Sequence, residues 1–513
     1  MRASSPSGTV DHLFDAAREV RGVEATTLAY LQAEGFEEVL LPMVEREEVF
    51  ASLGALRFVD RQGELLGLRA DFTGPAARVV ATRLKGLATV QLCYRGSVFR
   101  DGSVVGERRQ YQQAGFELYD AGTVESDARA VRLGLGLCDA LGLRQVHASL
   151  GSAALIEALC PEAPSDVRAA LDRRDRAGLP SSLLPLLKLS GGVAVLDQAR
   201  RSLPKAAREP IDRLVAVIEA LGESASRVVV DLAEVRPWAY YSGVVFDLFA
   251  AGLPKSVGGG GRYDGLVGRF GADRPAVGAS IDVGAVAALQ LRASKEEPRP
   301  LRFALPKGRL RASTLTRLGA LGPTAEALDS RRLLVPGQGK PPGGDPLSFV
   351  LVKDPDLAAY VGRGAADVGM VGLDVLLEAD HDVLMPVTTS LGACKMCLCG
   401  RPGTDVRALA ERGSLRVATK YVRIARQALD QRGLPAELIE LQGSVELAVL
   451  VDMADVIVDL VETGATLAAN GLVVLEELMV STARVIVNRA AWRLRNSEVL
   501  GLLAALEDPE PRA

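Results

Sequence analysis

Residues 443–472, GSVELAVLVDMADVIVDLVETGATLAANGL, hold the densest group of side chains that could do chemistry. Glu462-Thr463-Gly464-Ala465-Thr466 sets a carboxylate, two hydroxyls and small residues in one short turn. Such a turn can aim successive backbone N–H groups at one spot with the positive end of a helix behind them, which is how proteins hold phosphate. Simple helix capping by Thr463 and Thr466, with Gly464 easing the turn, would account for the same residues. The elements that must carry the loop are a strand and a helix. Val456–Val461 is a β-branched apolar run interrupted once by Asp459, the pattern of a buried strand. Residues 467–470 predict the opening of a short helix that ends at Gly471.

Other stretches suit small ligands. LRFALPKGRL at 301–310 reads as a strand, a basic turn and a helix, with Lys307 and Arg309 flanking a glycine, Gly308, where backbone can approach a polyphosphate. A solvated domain edge would carry the same two bases. In the first half, Glu117 offers a carboxylate for an α-ammonium group, Gln113 and Thr73 offer neutral polar partners, and Tyr240 and Tyr241 could wall or hydrogen-bond an imidazole. Taken singly, each is also what a half-buried strand carries when satisfied. Cys394 and Cys397 have the CxxC spacing of a metal pair, but with 3 histidines in the chain and no second CxxC, a core strand is expected and no metal site is assigned.

At 513 residues the chain is too long for one ordinary domain, and length suggests about three units. Hydrophobic residues at 48% and charged residues at 24% fit a globular protein, and a net charge of −4 argues against a broad non-specific nucleic-acid surface. No apolar run reaches membrane-spanning length and residues 1–20 lack a signal-peptide apolar region, so a cytoplasmic protein with no membrane partner is expected. The 6 cysteines form no disulfide framework, and Cys93, Cys138 and Cys160 sit in apolar contexts typical of buried thiols.

Residues 11–35 place Leu13, Phe14, Ala17, Val20, Leu28 and Leu31 at near-helical spacing, and residues 36–42 follow as a strand closing at Pro42. Residues 160–226 are helically patterned between prolines and carry no readable chemistry. A polar, proline-containing stretch at 293–300 marks a linker. Beyond it, strands alternating with helical patterns predict α/β units with mainly parallel strands.

Read with Gly443-Ser444-Val445-Glu446 before it and STARVIVNRA (481–490) after it, the loop resembles the 5-phosphoribosyl-1-pyrophosphate (PRPP) loop of ATP phosphoribosyltransferase, which opens histidine biosynthesis. The opening at 301–310, Ser330-Arg331, FVLVK (349–353), YVGRGAADVGMVGLDVL (360–376), LRVATKY (415–421) and Ile424-Ala425-Arg426 continue that resemblance in family order. Two departures stand out: Lys353 replaces a familiar arginine, losing bidentate geometry, and Cys394-Lys395-Met396-Cys397 differs from the usual sequence. The first half is similar to histidyl-tRNA synthetases. LRADFT (68–73), with Pro75 and Arg78, resembles their substrate strand; CYRGSVFR (93–100) with GERRQYQQAGFE (106–117) looks like class II motif 2, two strands and a polar loop; RPWAYYSG (236–243), GGGGRYDGL (258–266) and AVGASID (276–282) complete the series. Here Pro237, Trp238 and Ala239 replace Gly, Leu and an acid, Ala285 stands near the place of an arginine that holds ATP phosphates, and the anticodon-binding domain is replaced by a different domain. A synthetase-like core without those features resembles the regulatory subunit of short-form ATP phosphoribosyltransferase.

The resemblance implies α/β and α+β folds: a class II synthetase-like antiparallel-sheet domain at 1–292, the 293–300 linker, and a periplasmic-binding-protein-like transferase domain at 301–513, with one lobe from Leu301 to about Val387 plus the C-terminal helix and the other at roughly 388–485. It implies ATP phosphoribosyltransferase activity with Mg2+ on the pyrophosphate. PRPP would be held by Asp459, Glu462, Thr463, Gly464, Ala465 and Thr466, and phosphates of ATP or PRPP by Lys307, Gly308, Arg309 and Arg331. Histidine, as inhibitor, would bind Thr73, Gln113, Glu117, Tyr240 and Tyr241. No general base is identifiable, tRNA is not an expected partner, and a homo-oligomer is expected. The alternatives are a histidyl-tRNA synthetase-like enzyme and a non-catalytic small-molecule-binding protein.

Overall fold

The computed structural model describes residues 5–50, 54–101, 108–119, 122–235, 240–292, 299–330, 332–342, 344–379, 381–413 and 415–508. They form two compact units: Met1–Pro298 together with Arg489–Asn496, and Arg299–Asn488 together with Ser497–Ala513.

The first unit is built on a nine-stranded sheet. Its order is Glu37–Glu38, Val90–Phe99, Gln110–Tyr119, Ala276–Asp282, Gly258–Arg262, Val244–Phe249, His147–Ser152, Val228–Asp231 and Ser190–Gly191. Val90–Phe99 and Gln110–Tyr119 pair antiparallel through ten registered residues, the two strands expected around the polar loop. Alternation sorts their side chains. Phe116 and Leu118 enter a core shared with Val20 and Leu31 of the helix Phe14–Ala33 and Val131 of Val124–Ala140. Glu117, between them, faces the other way. The glycine-rich strand Gly258–Arg262 is required by crowding: a Cβ at Gly260 would lie 1.9 Å from the Gly278 carbonyl oxygen. The helical patterning of 160–226 becomes Ser165–Arg173, Val195–Ser202 and Arg208–Leu221.

Two local expectations are corrected. The stretch 68–73 does not continue as a strand: Leu65–Leu68 ends at Leu68 and Thr73 opens the helix Thr73–Arg83. Asp71 Oδ1 accepts from the Gly74 N–H at 3.3 Å, and Pro75 sits in the first turn, where its missing N–H costs nothing. The strand expected at 36–42 shortens to Glu37–Glu38, an edge pair held parallel to Leu92 and Cys93. Four residues on, Pro42 has no N–H to offer a ladder.

The second unit contains two sheets. One runs Leu334–Pro336, Ser348–Val352, Arg302–Pro306, Val368–Gly372, Ala483–Val487, Leu384–Thr388. The other runs Glu437–Glu440, Arg416–Thr419, Val456–Val461, Cys394–Gly400, Val473–Ser481. Both are mixed rather than mainly parallel. Arg302–Pro306 pairs parallel with its two neighbours, as does Arg416–Thr419. Val368–Gly372 and Leu384–Thr388 run antiparallel to Ala483–Val487, and Cys394–Gly400 runs antiparallel to both of its neighbours. In the second sheet the strand on which the chain enters, Cys394–Gly400, runs against the others, while the strand on which it leaves, Val473–Ser481, runs with Val456–Val461. The crossings are short, residues 389–393 and 482, and they bind each other: Thr389 Oγ1 donates to the Ala483 carbonyl at 3.0 Å and the Ala483 N–H to the Leu391 carbonyl at 2.8 Å.

The division between the sheets falls close to the expected one. Two helices form at the end of the chain, Arg489–Leu494 and Asn496–Leu506; Ser497–Ala513 belongs to the second unit, as expected of the C-terminal helix, but Arg489–Asn496 belongs to the first. There Trp492 is 2% exposed, its Nε1 donates to Ser190 Oγ at 3.2 Å, and the Arg174 guanidinium lies 4.5 Å from its ring centroid. The cysteine run is a core strand, as expected, with Cys394, Cys397 and Cys399 buried and free.

Candidate functional site

In the first unit, strand register gathers a polar cluster around Glu117. The residue is buried, and its carboxylate accepts from Thr73 Oγ1 at 2.8 Å, Tyr94 OH at 3.0 Å and Tyr263 OH. Gly278 lies opposite in the ladder, and a Cβ there would strike the carboxylate. Burial pushes Glu117 up to about 7, against the opposing pull of the three hydroxyls. Asp71 is buried beside it and also raised, by burial first, while Tyr240 OH donates to its Oδ2 at 3.4 Å. Gln113 is anchored through Nε2 to Ser280 Oγ at 2.5 Å, and its Oε1 is buried without a hydrogen-bond partner. An acceptor in that state suits a ligand that brings N–H donors.

Contacts therefore connect Thr73, Glu117 and, through Asp71 and Tyr263, Tyr240, while Gln113 lies four residues from Glu117 on the same strand and is tied to Ser280. Tyr241 packs against Tyr240, ring centroids 4.7 Å apart, and also reaches beyond the cluster. Its ring packs over Gly261, where a Cβ would come within 3.0 Å, and it borders a separate cavity of about 820 Å3 with Arg168, Arg213 and Arg262. Tyr94, Tyr263 and Asp71 were missed as site residues although they lie inside the recognised motifs. Their signal is periodicity: Tyr94 is registered with Gly115, two residues from Glu117, and so shares its face. Ala285 heads the helix Val283–Arg292 with its N–H on Asp282 Oδ1 at 3.0 Å, and Arg108 engages the same carboxylate at 2.9 Å. Arg236, Pro237, Trp238 and Ala239, like Gly106 and Glu107, lie outside the described residues.

In the second unit the strand Val456–Val461 forms as expected, between Arg416–Thr419 and Cys394–Gly400. Its last residues deliver an exposed turn, Glu462 and Thr463, then Gly464 at φ 74° as the N-cap of Ala465–Ala469. The helix thus begins two residues earlier than its apolar pattern suggested. Leu467 anchors it in the core, and Thr463 Oγ1 accepts from the Ala465 N–H at 3.4 Å. Asp459 is paired with Lys420 Nζ at 3.3 Å. Lys420 lies within LRVATKY (415–421), where it carried no assigned role; the pairing of Thr419 with Val458 brings it to Asp459.

The basic turn at 307–309 follows Arg302–Pro306, with Lys307 and Arg309 exposed. Gly308 is needed for a reason other than phosphate. Its N–H donates to Asp354 Oδ1 at 3.1 Å, and a Cβ would come 2.3 Å from the same carboxylate. Arg309 Nη2 donates to Cys394 Sγ at 3.1 Å. Burial opposes the Arg309 charge, yet Cys394, Asp374 and Glu462 together hold its pKa above the ordinary value. Lys353 is exposed before the helix Asp354–Gly362. Arg331 lies outside the described residues. Among the described residues no three His, Cys, Asp or Glu side chains converge as a metal site, and no helix is long and apolar enough to cross a membrane.

Comparison with known proteins supplies the rest. The family described as "Histidyl-tRNA synthetase" matches residues 8–286, and "ATP phosphoribosyltransferase" matches residues 353–508. ATP phosphoribosyltransferase of Rubrobacter xylanophilus is 44% identical over 213 residues, 40% of this chain and 95% of that protein. The enzyme of the same name from Symbiobacterium thermophilum is 42% identical over 215 residues, 41% of this chain and 94% of that protein. Among solved structures, an ATP phosphoribosyltransferase regulatory subunit/histidyl-tRNA synthetase from Bacillus halodurans has a TM-score of 0.52 at 23% identity, covering 62% of this chain and 89% of its own, a likeness of fold. A histidine–tRNA ligase subunit from Alicyclobacillus acidocaldarius has a TM-score of 0.50 at 26% identity, covering 57% and 99%. The chain therefore belongs to the histidyl-tRNA synthetase family through residues 8–286 and to the ATP phosphoribosyltransferase family through its C-terminal part.

Proposed function

We propose that this chain is an ATP phosphoribosyltransferase carrying its own histidine sensor. The reaction joins N1 of ATP to the anomeric carbon of PRPP, breaks the bond from that carbon to pyrophosphate, and gives N1-(5-phospho-β-D-ribosyl)-ATP and pyrophosphate. The observation that carries the reading is the exposed turn that begins at Glu462, at the end of a buried strand, within the residues 353–508 that match the ATP phosphoribosyltransferase family.

Displacement at an anomeric carbon calls for alignment and charge neutralisation rather than a nucleophilic side chain. In this reading Glu462, Thr463, Gly464, Ala465 and Thr466 hold the 5-phosphate, and Asp459 or Glu462 meets ribose hydroxyls. Lys307, Arg309 and Arg331 meet the polyphosphates. Lys420, which screens Asp459 at 3.3 Å, joins this set. Magnesium enters on the PRPP pyrophosphate as part of the substrate, the way it usually travels with phosphates. The two-sheet unit is read as periplasmic-binding-protein-like, with substrates between its lobes.

The pocket at Glu117 is read as the histidine site, the carboxylate and Gln113 Oε1 receiving the ligand's N–H donors. It senses the amino acid without charging tRNA, since Ala285 supplies no cation to ATP phosphates. Residues 1–292 are thus the regulatory domain and 301–513 the catalytic one, in a cytoplasmic homo-oligomer. The test is pyrophosphate release from ATP and PRPP by the purified chain, with and without histidine. Turnover that histidine suppresses without competing with ATP supports both halves of the proposal; no turnover refutes the first, and competition with ATP refutes the second.

A further inference from the structure

The helix Leu373–Ala379 follows a strand of one sheet, and the helix Val422–Gln431 follows a strand of the other. They meet through two carboxylates four residues apart on the first helix, a spacing that puts both on one face. Asp374, 3% exposed, accepts from Ser481 Oγ at 2.7 Å and from Tyr421 OH at 3.3 Å, while its own N–H donates to Ser481 Oγ at 3.2 Å. Glu378 accepts from the backbone N–H of Arg423 at 3.0 Å and of Ile424 at 3.1 Å, donors at the start of a helix that have no partner within it.

The two contacts differ in what they hold. Ser481 is the last residue before the chain crosses back between the sheets, and the crossing is continued by Leu373 N–H donating to the Thr482 carbonyl at 3.1 Å. Asp374 is thus tied to the crossing itself and, through Tyr421, to the far side of it, and Glu378 adds a second point of contact one turn away. Near this grip Arg309 reaches Cys394 Sγ at 3.1 Å, and its charge is supported by both Asp374 and Glu462.

We propose that Asp374 and Glu378 are positioning residues for the transfer reaction, setting the angle between the two sheets and so the separation of Arg309 from the Glu462–Thr466 loop. This rests on the reading of those residues as the substrate site. Binding and reaction then depend on the grip differently. With the PRPP 5-phosphate on the loop of one half and Lys307 and Arg309 of the other half meeting the phosphates of ATP, PRPP binding alone needs no fixed angle. The reacting atoms come from both halves, so turnover does.

The experiment compares wild type, Glu378→Ala, Glu378→Gln and Tyr421→Phe, the last deleting one hydroxyl from a residue whose ring stays packed in the core. Glu378→Ala should lower kcat at least about tenfold while PRPP affinity without ATP changes less than about twofold, because one bond to a charged acceptor commonly carries that much. Glu378→Gln should recover most of kcat, since its amide oxygen can accept from the same N–H groups, and Tyr421→Phe should fall between. Hydrogen exchange at the Arg423 and Ile424 amides, measured in parallel, should speed up in Glu378→Ala. Unchanged kcat in both Glu378→Ala and Tyr421→Phe, or PRPP affinity falling in step with kcat, overturns the proposal. An inactive wild type instead overturns the transferase reading, and unchanged exchange at those amides then overturns the grip on its own.

Discussion

Arg493 donates to the Glu234 carboxylate at 2.6 Å across 259 residues of sequence, inside the first unit. The same guanidinium donates to Ser149 Oγ at 2.8 Å and pairs with Asp231 at 2.5 Å, and Arg174 pairs with Asp231 from another side. Two arginines and two carboxylates thus neutralise one another in a fully buried site. Arg493→Leu would leave Glu234 and half of Asp231 uncompensated, and should destabilise the first unit by about 3–5 kcal/mol. Denaturant unfolding followed through Trp492 fluorescence reads this directly, and an unshifted transition would contradict the charge accounting.

Gly464 sits at φ 74° with only Val461 Cγ1, at 3.9 Å, near the place of a Cβ. Space is therefore available, and the penalty for a side chain is conformational: a left-handed backbone costs an L-residue about 1–2 kcal/mol, and more when β-branched. Gly464→Val should relax the turn away from its phosphate-holding form and raise the Michaelis constant for PRPP at least about tenfold. Calorimetric PRPP binding equal to that of the wild type would remove the loop from the site.

Histidine affinity should depend on pH through Glu117. Burial raises this carboxyl from 4.5 to about 7, so the folded protein keeps its proton at mildly acidic pH where the unfolded chain has lost it. That proton retention favours the folded state below the ordinary value and the advantage is lost as pH rises through about 7. A cationic α-ammonium needs the carboxylate, so binding should be about tenfold weaker at about pH 6 than at about pH 8. Titration of the ligand's imidazole is common to all variants. The ratio of wild type to Glu117→Gln isolates the protein's group, and a ratio that does not vary with pH would assign the dependence elsewhere.

Glu117→Ala should weaken inhibition by histidine at least about tenfold, an ionic hydrogen bond being worth about 1.5–3 kcal/mol. The Michaelis constants for ATP and PRPP without histidine should hold, because the residue belongs to the first unit. An unaltered inhibition curve would place the histidine site outside this pocket.

What could be read along the chain was local. The strand Val456–Val461 and the turn after it, and the strand pair around the motif 2 loop, depend on side chains close together in sequence, where period and turn chemistry dominate. Even there, Thr73 was misplaced on a strand because Asp71 caps a helix that apolar spacing does not announce. Tertiary structure decided the rest through register and chain crossing. Tyr94 and Tyr263 reach Glu117 only because four antiparallel strands align them, and Lys420 reaches Asp459 only because two parallel strands do. The mixed sheets owe much to the strands on which the chain enters each sheet after a crossing, Cys394–Gly400 and Ala483–Val487, which run against their neighbours, a constraint with no signature in any one strand. Least legible was Arg489–Asn496, which reads as an ordinary amphipathic end to the second half. Its tryptophan and arginine are buried in the first unit because the matching carboxylates, Asp231 and Glu234, lie there, and complementarity between distant residues is a property of the folded chain alone.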